Sequence, residues 1–221
     1  MNEKKIVLCS ASPRRQQLIK ELGFDVEVLI KEVDESFPEH LRAEEVPVFV
    51  ADKKASAFRD NLEDGRIYIT ADTIVWLNDE VLNKPSDADD AFSMLKKLSG
   101  KTHQVYTGVC FMSSEKKKII SVRSNVRFKN INDNELKFYI EHYKPFDKAG
   151  SYGAQECLPE GMNPCSETEK KFLASIHKPD LFERTLSKGK KHMPLIENID
   201  GSYFNVMGLP VVELYEELQK W

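Results

Sequence analysis

Long apolar runs are missing from this sequence. No stretch approaches the ~20 residues that a membrane-spanning helix needs. The opening Met1-Asn2-Glu3-Lys4-Lys5 leads into only a short apolar run, too short for the h-region of a secretory leader. The expectation is a chain without a signal peptide, located in the cytoplasm, with no membrane partner. Cysteine is scarce: Cys9, Cys110, Cys157 and Cys165 form neither a CxxC pair nor a zinc spacing. Cys9 and Cys110 sit in apolar, strand-like runs, where a thiol reads as a small buried side chain. In a reducing compartment Cys157 and Cys165 are not expected to pair. A basic excess is missing too. Lys+Arg number 32 against 36 Asp+Glu, a net charge of −4. That argues against a nucleic-acid partner, but not against a small polyanion met by a local cluster of cations.

Several motifs are also absent. There is no GxxxxGK[ST], no GxGxxG and no GxSxG, so P-loop, Rossmann and nucleophile-elbow readings lose their anchors. His40, His103, His142, His177 and His192 lack HExxH spacing and read as surface or hydrogen-bonded histidines.

What is present is the composition of a folded protein. Of 221 residues, 41% are hydrophobic and 31% charged, near ordinary globular values. The length allows one domain or two small ones. Residues 6–9 and 26–30 read as strands. Between them Ser12 caps a helix that starts at Pro13 and stops at Gly23. A longer helix is predicted over 44–60, with Val48, Ala51, Ala55 and Phe58 on one face. Residues 67–77 read as a strand, and Asn78-Asp79 as a hairpin turn into Val81-Leu82. Ser86 is predicted to cap a helix through Leu98. Strands at 103–112 and 119–128 read as a pair, and 133–142 as an amphipathic helix. A last helix starts near Pro210. Hairpins interrupt the strand–helix alternation, which implies an α/β mixed sheet covered by helices. The segment 156–198 breaks this rhythm. It is rich in Pro, Lys and Glu, with a helical stretch over 166–176. It reads either as a solvated surface insertion or as a lid or oligomer contact.

Chemistry concentrates in a few places. Ser10-Ala11-Ser12-Pro13-Arg14-Arg15 puts two arginines in the first turn of a helix. Cations oppose the helix dipole there, whereas anions suit it, so the pair points to a bound phosphate. Asp72 lies inside the strongest strand run, where Asp is depleted and costly without a partner. It reads as a base, a metal ligand or an ion-pair partner. Lys54, on the 44–60 helix, and Lys84, held extended by Pro85, are either phosphate contacts or solvated charges. Asp34 and Glu35 could help to hold a metal. In 147–155, two glycines permit close backbone approach, and Gln155 can both donate and accept, which suits a base edge.

Taken in order, these segments resemble the Maf family of nucleoside triphosphate pyrophosphatases. The resemblance runs through Ser10–Arg15, Lys54-Ala55, Ala71-Asp72-Thr73-Ile74-Val75 and Leu82-Asn83-Lys84-Pro85. It continues in Tyr106-Thr107-Gly108-Val109, Asp147-Lys148-Ala149-Gly150, Tyr152-Gly153, Gln155 and Gly201-Ser202-Tyr203. It implies an elongated mixed sheet with two lobes around a central cleft, as in inosine triphosphatase-like folds. It also implies one Maf-like domain over 1–221, with 156–198 inserted. The implied reaction is hydrolysis of a nucleoside triphosphate to the monophosphate and pyrophosphate with a divalent metal, Mg²⁺ or Mn²⁺. By the same resemblance Asp72 is the general base, and Ser12, Arg14, Arg15, Lys54 and Lys84 hold the triphosphate. Glu35 and Asp72 bind metal. Arg14, Thr73 and Gln155 mark the dTTP/UTP branch, although Ala154 stands where the family usually has Ile. The resemblance leaves open a homodimer, a preference for modified pyrimidine nucleotides, and an alternative role as a nucleotide-binding regulator of cell division with little turnover.

Overall fold

The structure, a computed structural model, describes residues 5–186 and 193–221. Met1–Lys4 and His192, read above, lie outside them. β1 (Lys5–Leu8) buries Val7 and Leu8 completely and leads into α1 (Pro13–Glu21). Ser12 is the N-cap, its hydroxyl accepting from the Arg15 N–H, and Pro13 opens the helix. Leu18 and Ile19 form its buried face. Gly23 then takes a φ of +92°, a left-handed turn that favours glycine.

β2 (Val26–Val28) is followed by a long loop and α2 (Glu45–Ser56). The predicted helix over 44–60 therefore ends early. Ala57 and Phe58 donate to the carbonyls of Lys54 and Ala55, the tighter 3₁₀ pattern, and Arg59–Asn61 forms a separate 3₁₀ turn. β3 (Arg66–Leu77) and β4 (Glu80–Leu82) make the expected hairpin. Asn78 and Asp79 sit at φ 50° and 62°, both left-handed as a type I′ turn requires. α3 (Ala88–Leu98) corrects the predicted cap: Asp87, not Ser86, accepts from the Asp90 N–H. Asp87 has the extended backbone that a cap requires.

β5 (Thr102–Met112) and β6 (Lys117–Phe128) are joined by a turn in which Ser113 donates to Lys116. α4 (Asp133–Tyr143) starts with a reciprocal Asn132–Glu135 capping box. α5 (Ala154–Cys157), α6 (Glu167–Ser175) and α7 (Leu181–Thr185) follow. β7 (Ile196–Asp200), α8 (Tyr203–Met207) and α9 (Val211–Leu218) complete the described chain. Among the described residues the strands form one sheet in the order β2-β1-β3-β5-β6-β7, with β4 added to β3. β1 pairs in parallel with β2 and β3, whereas β4 and β7 pair antiparallel with β3 and β6. This is the mixed, helix-flanked α/β sheet expected. No helix among the described residues is long and apolar enough to cross a membrane.

The chain divides into two compact units. The first holds the chain up to Thr73, Tyr106–Val122 and Gly208–Trp221; the second holds Ile74–Val105 and Arg123–Met207. In the first, α2 contributes Ala51 and Ala55 to a core with Val7, Cys9, Tyr68, Cys110 and Met112. Burial pushes the Cys9 and Cys110 thiols up to about 12, so both are inert packing groups. Gly108 permits this packing, because a Cβ there would lie 2.5 Å from the Pro47 carbonyl oxygen. In the second, α3 packs on α4. His103 is buried edge-on to Phe128 and Tyr152, with Nε2 2.8 Å from the Tyr152 hydroxyl. Burial pushes this imidazole down to about 3.

The described part of 156–198 is exposed over much of its length but anchored at several points. Cys157, Leu158, Leu173, Leu181 and Leu195 are buried, and Met193 and Leu195 donate to the carbonyls of Glu156 and Cys157. Glu169, only 1% exposed, anchors α6. Its carboxylate accepts the Ser166, Tyr203 and Phe204 backbone N–H groups and the Ser166 and Ser202 hydroxyls. The Gly201-Ser202-Tyr203 stretch is thus the receiving end of a structural carboxylate.

Candidate active site

β3 buries every residue from Ile67 to Leu77 except Asp72 and Thr73. Two part-exposed polar side chains therefore interrupt a mostly apolar, buried strand, and each must find partners locally. Asp72 finds Lys54, on the face of α2 that meets the sheet. The Lys54 ammonium donates to Asp72 Oδ1 at 2.8 Å and lies 2.7 Å from Glu35 Oε1. The Lys54 and Asp72 side chains are 14% and 13% exposed, so solvent and salt screen their attraction only in part. Two carboxylates drawn together repel each other. One ammonium, with three donors, offsets both.

The loop before α2 separates its two acids. Glu35 turns to Lys54, while Asp34 turns to Lys53 at 2.8 Å and to Ser36. Hydrogen bonds from Lys53 and Ser36 hold the Asp34 carboxyl well below the usual carboxylate range. Of the two acids proposed from sequence, only Glu35 joins Asp72.

Arg15 has a role that the sequence did not reveal. Its Nε donates to Gly208 O, Nη1 to Ala71 O and Nη2 to Thr73 Oγ1, at 2.8, 2.8 and 3.0 Å. Thr73 in turn meets Thr107 Oγ1 at 2.9 Å. A guanidinium has five N–H donors, so three are committed within the protein. Burial lowers its pKa, with Asp72 acting in the opposite direction. These acceptors, rather than an anion alone, offset a cation at the start of α1. Arg14, half-buried, precedes it in the same turn.

The first unit thus brings together Ser12, Arg15, Glu35, Lys54, Asp72 and Thr73. Lys84 and Gln155 belong to the second unit. Lys84 is exposed on the loop between β4 and α3. Its neighbour Asn83 accepts from the Gly150 N–H at 3.2 Å. Gly150 has a φ of +65°, and a Cβ there would meet Val75 at 2.8 Å, so close approach and backbone conformation both require glycine. Gln155, on α5, is 8% exposed, and its Nε2 donates to the Thr185 carbonyl at 2.7 Å. A backbone carbonyl can only accept, so the amide nitrogen must face it. Thr185 Oγ1 donates to Phe182 O and meets the Tyr203 hydroxyl. Sequence reasoning missed Thr185 and Glu169. The Ser166–Glu169 spacing of a capping box was the available signal for the second.

A divalent cation fits the residues present. Glu35 and Asp72 offer hard oxygen donors already converged on one positive charge. Among the described residues no group of three or more His, Cys, Asp or Glu is placed to hold an ion. Water and substrate phosphates would complete the shell, a common arrangement for Mg²⁺.

These features define an α/β protein whose mixed sheet carries a carboxylate–ammonium cluster at the middle of β3, beside an arginine-bearing helix start. The chain belongs to the Maf family: the Maf-like protein model matches residues 5–162. It is 41% identical over its full length to a dTTP/UTP pyrophosphatase of Bacteroides fragilis, covering 97% of that protein. It is 42% identical to one of Phocaeicola vulgatus, again over its full length and 97% of that protein. A Flavobacterium psychrophilum dTTP/UTP pyrophosphatase is 42% identical over 96% of this chain and 91% of that protein. The first two matches run through 156–198, so that segment is shared with these relatives.

Proposed function

We propose that this protein hydrolyses dTTP and UTP to the monophosphate and pyrophosphate in the cytoplasm, with a divalent cation. The observation that carries the reading is the Lys54 ammonium held between Asp72 and Glu35 in the middle of β3. It supports a site that balances negative charge finely and tolerates cations and phosphates alike. The relatives named above support the substrate class.

In this reading Asp72 orients the attacking water and takes its proton. Lys54, Arg14 and Lys84 neutralise the triphosphate and the departing pyrophosphate. Arg15 spends three donors holding Ala71, Thr73 and Gly208, so it chiefly positions Asp72, with two N–H groups left for phosphate. Ser12 shapes the helix start beneath them. A cation held by Glu35 and Asp72 would supply Lewis acidity and activate bound water. Gln155 reads the base. With its Nε2 on Thr185 O, its carbonyl is the group left to accept the N3–H that uracil and thymine carry and cytosine lacks. Thr73 and Arg14 complete the selection. Modified pyrimidine triphosphates sharing that N3–H fall within the same reading, and a homodimer is compatible with it. The segment 156–198 then serves as the support for Gln155 within one catalytic protein.

Pyrophosphate release from a panel of normal and modified triphosphates with Mg²⁺ or Mn²⁺ tests this. Orthophosphate release would overturn the reaction. Nucleotide binding without turnover would favour a regulator, a reading that the intact Asp72, Lys54 and Lys84 disfavour.

A further inference from the structure

We propose that Lys54 is a built-in placeholder cation: its ammonium holds Glu35 and Asp72 until nucleotide draws it away, so that metal and nucleotide load together. This deepens, and rests on, the pyrophosphatase reading.

The geometry is specific. The ammonium lies 2.7 Å from Glu35 Oε1 and 2.8 Å from Asp72 Oδ1. A divalent ion on those two oxygens would sit beside a positive charge at contact distance, in a partly desolvated setting where repulsion is strong. Ion and ammonium therefore compete for the same acceptors. Removing Lys54 without replacement would leave two converging carboxylates unbalanced, which is unfavourable. The exchange becomes easy only when new acceptors arrive for the ammonium, and triphosphate oxygens are such acceptors. Lysine suits the task, because its charge rides on a flexible four-carbon stem and carries no fixed fork. Arg15, three of whose donors are tied to the protein, could not swing in this way. The result is positive coupling between metal and nucleotide, which linkage makes reciprocal. One consequence is that free Mg²⁺ does not occupy the empty enzyme, and the carboxylates stay paired between turnovers.

The test uses the purified full-length chain and Mn²⁺ as the probe, with free Mn²⁺ followed by electron paramagnetic resonance. Wild type is expected to bind Mn²⁺ weakly alone and at least tenfold more tightly with an α,β-imido analogue of dTTP. Lys54→Met should bind Mn²⁺ alone at least tenfold more tightly than wild type, with little further gain from the analogue. Lys54→Gln, which keeps a neutral donor for the carboxylates, should behave in the same direction and guards against misfolding of the first variant. Lys53→Met is the control. It removes the same charge one residue away, where the ammonium serves Asp34, and should change Mn²⁺ affinity less than threefold. If neither Lys54 variant binds Mn²⁺ more tightly than wild type, or if Lys53→Met matches them, the placeholder is overturned. Pyrophosphate release by wild type is scored separately. Its absence sinks the enzymatic reading, whereas its presence with unchanged Mn²⁺ affinities sinks only the placeholder.

Discussion

Glu169 and Asp72 are both carboxylates withdrawn from solvent, and they keep opposite company. Glu169 accepts three backbone N–H groups and two hydroxyls, drawn from the start of α6 and the start of α8. Backbone donors cannot leave without local unfolding, and they saturate its acceptor capacity. Asp72 is held by an ammonium on a long, mobile stem, which it shares with Glu35. The first arrangement locks two segments together. The second stores a charge balance that an incoming ligand can redraw. Burial alone does not separate a structural acid from a reactive one; the replaceability of the partner does.

That contrast can be broken in graded ways. The largest effect is expected at Asp72. Asp72→Asn should lower kcat by about 10³-fold while the melting temperature moves little, as measured by pyrophosphate release and calorimetry. Next comes Glu169→Ala, which strands three backbone donors. It should cost about 3 kcal/mol of stability in urea titrations, with turnover below the transition changed far less than in Asp72→Asn. A Glu169 variant that keeps its stability but loses turnover would erase the distinction.

His103 lies between the two extremes, with one tyrosine partner and an Nδ1 that has none among the described residues. Its pKa is about 3 in the folded protein against 6.5 when exposed. As pH falls below 6.5 the unfolded chain takes up the proton and the folded one does not. Stability should therefore decline between about 6.5 and 3, by about 2 kcal/mol at pH 5 from this group. Above 6.5 its contribution is flat. His103→Phe should remove that part of the slope in melting curves run against pH. The smallest effect concerns the substrate. N3-methyl-UTP should lose about tenfold in kcat/KM relative to UTP, the worth of one hydrogen bond. Equal rates would show that the Gln155 carbonyl does not meet N3.

Much of the fold was legible because its signals are local. Ser12-Pro13 starts a helix, Asn78-Asp79 turns a hairpin, and Asp72 stands out inside an apolar strand; each needs only near neighbours to act. The mixed character of the sheet followed from the hairpins. What escaped was tertiary. Nothing near Arg15 announces that its acceptors lie on β3 and at Gly208. Nothing near Gln155 points to the Thr185 carbonyl. Ser86 and Asp87 are adjacent residues of cap type, and the fold places Asp87 on the Asp90 N–H. The polar average of 156–198 concealed a few buried anchors, Leu158, Leu173 and Leu181, that tie its described part to the fold. Glu35 and Asp72 were paired through resemblance, whereas the ammonium between them is a property of the folded chain.

Gly108 carries a last consequence. The Pro47 carbonyl settles where a side chain at 108 would have been, and Pro47 lies in the first turn of the same helix that carries Lys54 two turns further on. Two turns return to nearly the same side of a helix, so whatever sets the height of Pro47 above the sheet also sets the height of Lys54. The absent side chain works as a depth gauge. It calibrates the reach of a charged group well away from it, and a methyl added there would detune the charge balance on β3 while touching none of its members.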